Sequence, residues 1–110
     1  MSRSIMIALS NPVSAEQEAE FNHWYDNIHV PEILAAPSVH KATRYKVAAQ
    51  TLPMGKTPQF RYLAIYEVED AERAVQEISD RMATFRMTDA FDLNTAIGFA
   101  FTQISVAKSE

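Results

Sequence analysis

The chain has 110 residues, 47 % of them hydrophobic, which is enough for one ordinary core and too little chain for two folded domains. A formal net charge of -4, with ten Lys and Arg that never form a run of five, offers no broad cationic field, so nucleic acid is not an expected partner. No cysteine is present, which excludes disulfides, thiolate nucleophiles and Cys-ligated metal clusters and suits a cytoplasmic location.

The opening stretch Met1 to Ser10 carries one Arg. Its apolar run Ile5 to Leu9 is too short for a signal-peptide core or a membrane span and reads as a first strand, stopped by Ser10-Asn11-Pro12. From Ser14 the period changes. Phe21, Trp24 and Ile28 fall at helical spacing, with Glu16, Glu18 and Glu20 in the first turns. Ser14 is the expected N-cap, paired with Gln17 in a capping box. Pro31 disfavours helical backbone at Val30, so the regular helix is expected to end or kink near His29.

Val39 to Ala48 has strand character, with Ala42, Arg44 and Lys46 on one side and Thr43, Tyr45 and Val47 on the other. The segment 50–59 holds Pro53, Gly55 and Pro58 and reads as a hairpin loop. Phe60 to Val68 alternates as a third strand. Asp70 can cap a second helix in which Ala71, Ala74, Val75, Ile78, Met82 and Phe85 keep core spacing. Past an irregular segment around 87–94, Ala96 to Val106 is apolar enough for a long fourth strand.

The order βαββαβ predicts an α+β fold of ferredoxin-like type, in which residues 1–110 form a single domain with an antiparallel four-stranded sheet and two helices on one face. Strands three and four carry apolar or aromatic residues in both parities. Neither sheet face is therefore meant for water, and a second copy of the chain is the expected cover, which makes a dimeric α/β barrel.

Chemistry concentrates in Phe21-Asn22-His23-Trp24-Tyr25-Asp26-Asn27-Ile28-His29-Val30-Pro31-Glu32, followed by Pro37 and Arg44-Tyr45. This stretch resembles the EthD-like and REDY-like groups of the dimeric α/β-barrel superfamily, with their Trp-Tyr-Asp, His-x-Pro signature late in helix one. The spacing from His29 through Pro37 to strand two is similar to the muconolactone methylisomerase branch. The resemblance implies a homodimer with a cavity between sheet and helices, and, by position, a catalytic role for His29. The superfamily spans isomerases, cyclases, small oxygenases, heme enzymes and proteins without known activity.

His29 is also the best acid or base on elementary grounds, since imidazole titrates closest to neutrality. Asp26, three residues earlier on the same helical face, could orient it, and helix C-terminal carbonyls would favour the imidazolium. Tyr25, one turn before His29, could place a hydroxyl on the same ligand, making His29, Tyr25 and Asp26 the catalytic candidates. Against this stands the plainer reading of His29 as a helix cap, Tyr25 as a helix-edge aromatic and Asp26 as a surface carboxylate.

Substrate-binding candidates are Trp24, Arg44, Tyr62 and Tyr66. Tyr62 and Tyr66 share parity, so both face the helices or neither does, while Arg44 is either a cation for an anionic ligand, solvent-exposed or paired with Glu67. Trp24 is equally a core residue. His23 and His40 have no metal-ligand spacing, and Gly55 and Gly98 are the only glycines, so neither a metal nor a nucleotide cofactor is expected.

Together these features point to a cofactor-independent lyase, isomerase or cyclase acting by acid–base chemistry on a small aromatic-derived or polyketide-like molecule. A cofactor-free monooxygenase and a non-catalytic ligand-binding or stress-responsive protein are the alternatives.

Overall fold

The computed structural model describes residues 4–110. Its strands are β1 (Ser4–Ser10), β2 (Val39–Lys46), β3 (Tyr62–Val68) and β4 (Ile97–Thr102), and its α-helices are α1 (Glu18–Trp24), α2 (Val30–Leu34) and α3 (Ala71–Arg81). The strands lie in the order β2-β3-β1-β4, with every neighbouring pair antiparallel. This is the ferredoxin-like arrangement. Against the expected Ala96–Val106, β4 is described over Ile97–Thr102, paired with β1 from Leu9 back to Ser4.

The first helical segment differs from expectation at both ends. Ser14 is extended (φ -158°) and precedes a 3-10 turn, Ala15–Gln17; its hydroxyl donates to the Gln17 side chain at 3.4 Å instead of accepting from a backbone amide. The tight turn, closed by Gln17 N–H to the Ser14 carbonyl, leaves no room for a capping box. The helix does not stop at His29. A π-helical turn, Tyr25–His29, links α1 to α2, and the Val30 N–H reaches back five residues to the Tyr25 carbonyl. A wider turn before Pro31 relieves the clash of its ring with the preceding turn, and Pro31 then sits in the first turn of α2, where a missing N–H costs nothing.

Strand parity divides the sheet into an inner face under the helices and an outer face. Met6, Ser10, Tyr62, Ala64, Tyr66 and Val68 are buried on the inner face, packed with Phe21, Trp24, Tyr25 and Ile33. A bulge at His40 lets Val39, opposite Val68, share that face with Ala42, opposite Tyr66.

Helix α3 is capped as expected, with Asp70 Oδ1 accepting from Arg73 N–H at 2.9 Å. Glu77 accepts from the Ser38 N–H (2.9 Å) and hydroxyl (2.7 Å), which ties α3 to the turn before β2 and pulls its carboxyl below the usual range. Its apolar stripe is narrower than expected. Ala74 is buried and Ile78 and Phe85 pack on the core, but Val75 is 45 % exposed and Met82, where the helix tightens into a 3-10 turn, is 63 % exposed. The irregular segment that follows is anchored to the end of β1: Val13 N–H donates to the Ala90 carbonyl at 2.8 Å, and Pro12 bridges to Phe91.

The outer face carries Ile5, Ile7 and Leu9 of β1, Leu63 and Ile65 of β3, and Ile97, Phe99 and Phe101 of β4. Phe99 and Phe101 are about half exposed, at 53 % and 50 %, so this face presents contiguous apolar surface. A half-open depression of about 930 Å³ lies at one end of it, bordered by Ile65, Glu67, Phe101 and the His40–Glu69 pair. Among the described residues no helix is long and apolar enough to cross a membrane.

Replacing Asp70 by Ala removes the one side-chain cap on α3 and is expected to destabilise the fold by about 1 kcal/mol. Urea denaturation of the two proteins measures it; identical midpoints would show that α3 is held by packing alone.

Candidate active site

The π turn changes what each residue of the signature does. Widening the helix between Trp24 and Val30 turns Tyr25 fully inward, 1 % exposed, and lays His29 against the same aromatic cluster. Trp24 stacks on the His29 ring at 4.7 Å and 16°, while Tyr25 (5.2 Å) and Phe85 (5.6 Å) meet it edge-on. Phe91 closes the cluster by packing on Phe21, Trp24 and Tyr25. Trp24 is held in place by its indole N–H, which donates to the Arg86 carbonyl at 2.7 Å.

His29 therefore does not sit at a helix C-terminus, and the expected stabilisation of its imidazolium by free carbonyls is absent. Burial among apolar rings pushes its pKa down to about 4, against the weaker pull of Glu32. Its Nδ1 is buried without a hydrogen-bond partner. At neutral pH the ring is thus an uncharged imidazole with an unused nitrogen, an arrangement that costs about 1–3 kcal/mol for an unpaired buried polar atom.

Asp26 does not orient His29. It is exposed and accepts from Arg44 at 2.8 Å, while the other terminal nitrogen of Arg44 donates to Asn22 Oδ1, also at 2.8 Å. Arg44 is neither solvent-exposed nor paired with Glu67, which faces Lys41 on the outer side. Its side chain is 15 % exposed and its guanidinium lies 4.3 Å from the Tyr25 ring centre. The residue clips β2 to the helix and places a positive charge on the face of Tyr25.

Tyr62 and Tyr66 both face the helices, the alternative that parity left open. Tyr62 donates to Glu18 and accepts from Asn22 Nδ2 at 3.0 Å; Glu18 also pairs with Lys46 (3.2 Å) and Arg61 (3.3 Å). That hydrogen bond from Tyr62, then the one from Lys46, holds the Glu18 carboxyl below its usual range. Tyr62 is committed to this network. Tyr66 is not: its hydroxyl is buried and unpartnered beside that of Tyr25, and burial raises the pKa of both phenols. Ser10, also buried and unpartnered, adjoins Tyr25 as well.

Sequence reasoning did not select Ser10, Phe85 or Phe91 for the site. Ser10 had a usable signal, a polar residue at an inner-parity strand position, whereas Phe91 reaches the site through a loop with no periodicity. His23 bonds to Asn27 and His40 to Glu69, and neither joins the cluster. No group of three or more His, Asp or Glu among the described residues converges as a cation site. The expected space between sheet and helices is occupied near Tyr25 by the rings themselves, and the broad depression lies on the opposite face.

Sheet order, helix placement and an aromatic cluster under the first helix define a ferredoxin-like α+β protein, and solved structures of that class superpose on nearly the whole chain. The family model described as "Domain of unknown function (DUF4286)" matches residues 4–97, and the chain belongs to that family. Among solved structures, an ethyl tert-butyl ether degradation (EthD) family protein from Bacillus halodurans is similar at TM-score 0.60 and 15 % identity, covering 94 % of this chain and 100 % of that one. SnoaB, a cofactor-independent oxygenase from Streptomyces nogalater, gives TM-score 0.61 and 11 % identity over 99 % and 100 % of the two chains. A dimeric ferredoxin-like protein from an uncultured marine organism gives 0.56 and 14 % over 99 % and 100 %. No curated protein sequence matches.

The depressed pKa of His29 has a consequence for stability. The unfolded chain takes up a proton near the ordinary histidine value of 6.5 and the folded one only near 4, so stability is fully present above pH 6.5 and falls between 6.5 and 4. The loss is on the order of 3 kcal/mol. His29→Gln is expected to flatten that window, leaving the losses below pH 4.5 that come from Glu18 and Glu77. Thermal melting of both proteins from pH 7.5 to 4 reads this out.

Proposed function

We propose that the protein is a cofactor-independent enzyme that abstracts a proton from a small, planar, aromatic-derived or polyketide-like substrate, with His29 as the base. The observation that supports this is the neutral, part-exposed imidazole walled by Trp24, Tyr25 and Phe85; its Nδ1 is buried, so the other ring nitrogen is the one that accepts the proton. Flat aromatic walls suit a flat substrate, and a neutral ring can accept a proton at once. A pKa near 4 makes His29 a base or hydrogen-bond acceptor at neutral pH and a poor general acid, which narrows the acid–base role.

Proton removal from an electron-rich ring is the shared first step of two outcomes. Return of the proton elsewhere gives isomerisation or cyclisation. Transfer of electrons from the carbanion to molecular oxygen gives a hydroperoxide, which loses its second carbon-bound hydrogen and one oxygen as water and leaves a carbonyl on the oxidised substrate; this monooxygenation is the second reading, favoured by the fold likeness to a cofactor-independent oxygenase.

A homodimer through the outer sheet face belongs to the same proposal. The half-exposed Phe99 and Phe101 beside Ile5, Ile7 and Ile65 support it, as does the dimeric ferredoxin-like neighbour. Analytical ultracentrifugation is expected to show a dimer at micromolar concentration and a monomer for Phe99→Glu, since a buried unpaired carboxylate opposes such an interface. A wild-type monomer would refute it.

Catalysis is tested by hydrogen–deuterium exchange at carbon, followed by NMR in deuterated buffer without oxygen, over a panel of phenolic and enolisable aromatic compounds. A compound that exchanges is expected to lose about 10²–10⁴-fold in rate with His29→Gln, and to show an acid limb near pH 4. Asp26→Asn is expected to act through Arg44, leaving the position of that limb unchanged. Oxygen uptake on admitting air separates the two outcomes. Exchange that survives His29→Gln would overturn the assignment of the base, and a ligand that binds without exchange would identify a binding protein.

A further inference from the structure

We infer that Glu32, together with the Trp24 indole, clamps the Arg86 peptide across His29, and that Glu32 is thereby the positioning residue of the base, setting both its aromatic cover and its charge environment. This deepens the reading of His29 as a base, and rests on it only for the effect on turnover.

The chain that follows the 3-10 turn Met82–Thr84 lies in no strand or helix, so its backbone polar groups have to find partners elsewhere. At Arg86 two side chains supply them. Its carbonyl accepts from the Trp24 indole N–H at 2.7 Å, and its N–H donates to the Glu32 carboxylate, 3.1 Å from one oxygen and 3.3 Å from the other. Trp24 immediately precedes the π turn Tyr25–His29 and Glu32 lies in the first turn of α2 beyond it, so the two bonds reach Arg86 from either side of His29 in the chain. Phe85, in extended conformation, is fixed between this clamp and the bond from its own N–H to the Met82 carbonyl at 3.2 Å, and its ring stands edge-on to His29 at 5.6 Å. The next backbone tie from this segment to the rest of the fold comes at Ala90, whose carbonyl accepts from Val13 N–H. The clamp is therefore what keeps Phe85 over the imidazole.

A carboxylate does more in this place than a neutral acceptor would. The ionisable groups around the ring are Tyr25 in its own turn, Glu32 on α2 and Arg86 on the clamped segment, while Asp26 is bound to Arg44 instead. Proton removal from a carbon acid leaves the substrate as the anion and His29 as the imidazolium. Glu32, three residues on, favours that cation, whereas burial, the larger influence, opposes it. The clamp and the charge of one residue thus act on His29 in opposite senses: the first maintains its cover, the second its capacity to hold a proton.

Two substitutions separate them. Glu32→Gln keeps an oxygen for the Arg86 N–H and removes the charge; Glu32→Ala removes both. The His29 imidazole signals are followed by NMR as the pH is lowered, with His29→Gln identifying them among the three histidines. Glu32→Gln is expected to titrate below the wild-type value of about 4, and Glu32→Ala above it, toward 6.5, because release of Phe85 relieves the burial. With a compound that exchanges, Glu32→Gln is expected to slow carbon exchange about tenfold, the equivalent of one pKa unit, and to move the acid limb with the His29 midpoint. Glu32→Ala is expected to lose more, since the wall goes as well. A residue that only braced the fold would lower the melting temperature and leave the His29 midpoint in place. Unchanged midpoints in both variants, or a Glu32→Ala midpoint no higher than that of Glu32→Gln, overturn the inference. Glu32→Gln keeps the hydrogen bond and is expected to fold as the wild type does, so an unchanged midpoint in that variant alone overturns the charge role if Glu32→Ala fails to fold. The titrations need no substrate, so they decide the clamp whether or not carbon exchange survives His29→Gln.

Discussion

Pro31 has no N–H to give and its ring cannot sit against an ordinary preceding helical turn, and much of the inner site follows from how the chain meets that constraint. A helix can stop, kink or widen. Here it widens over five residues, Tyr25–His29, and resumes as α2. The extra residue in that turn advances the helical phase, so side chains that a regular helix would spread around its circumference come together on the sheet side. Tyr25, His29 and Trp24 form one cluster because the turn is wide; the low basicity of His29 and the burial of Tyr25 are its electrostatic results.

The sheet supplies the other half by alternation alone. With a side-chain period of two, β3 sends Tyr62, Ala64, Tyr66 and Val68 inward and Leu63, Ile65 and Glu67 outward. The two tyrosines, alike in sequence, meet different fates because α1 offers Tyr62 a carboxylate at Glu18 and an amide at Asn22, and offers Tyr66 only another phenol. One is therefore a structural bond between sheet and helix. The other keeps an unused donor at the centre of the protein.

Most of the fold was legible from the chain. Alternation located the first three strands, an apolar β-rich run the fourth, and Asp70 announced α3, because these signals are local and physically simple. Errors fell where the deciding partner is distant in sequence. Asp26 three residues before His29 looked like its orienter, yet an arginine eighteen residues away competes for it with a full charge and wins. The placement of His29 at a helix end followed from the usual effect of proline, and no local pattern distinguishes a π turn from a stop. Phe91 enters the site through a loop bridge, which periodicity does not encode.

The bulge at His40 bears on how this chain can change over evolutionary time. On either side of it the facing of β2 is consistent: Val39 opposite Val68, then Lys41 opposite Glu67. His40 is the surplus residue, so its deletion would leave a regular ladder with every neighbour still on its present side. Loss or gain of one residue elsewhere in β2 would exchange inward Ala42 and Arg44 for outward Thr43 and Tyr45, removing the clip to the helix and putting polar groups into the core. Length variation in this strand among descendants of the sequence is thus confined to one position at the rim of the outer face, where a change of residue count alters the border of that surface and leaves the inner site intact.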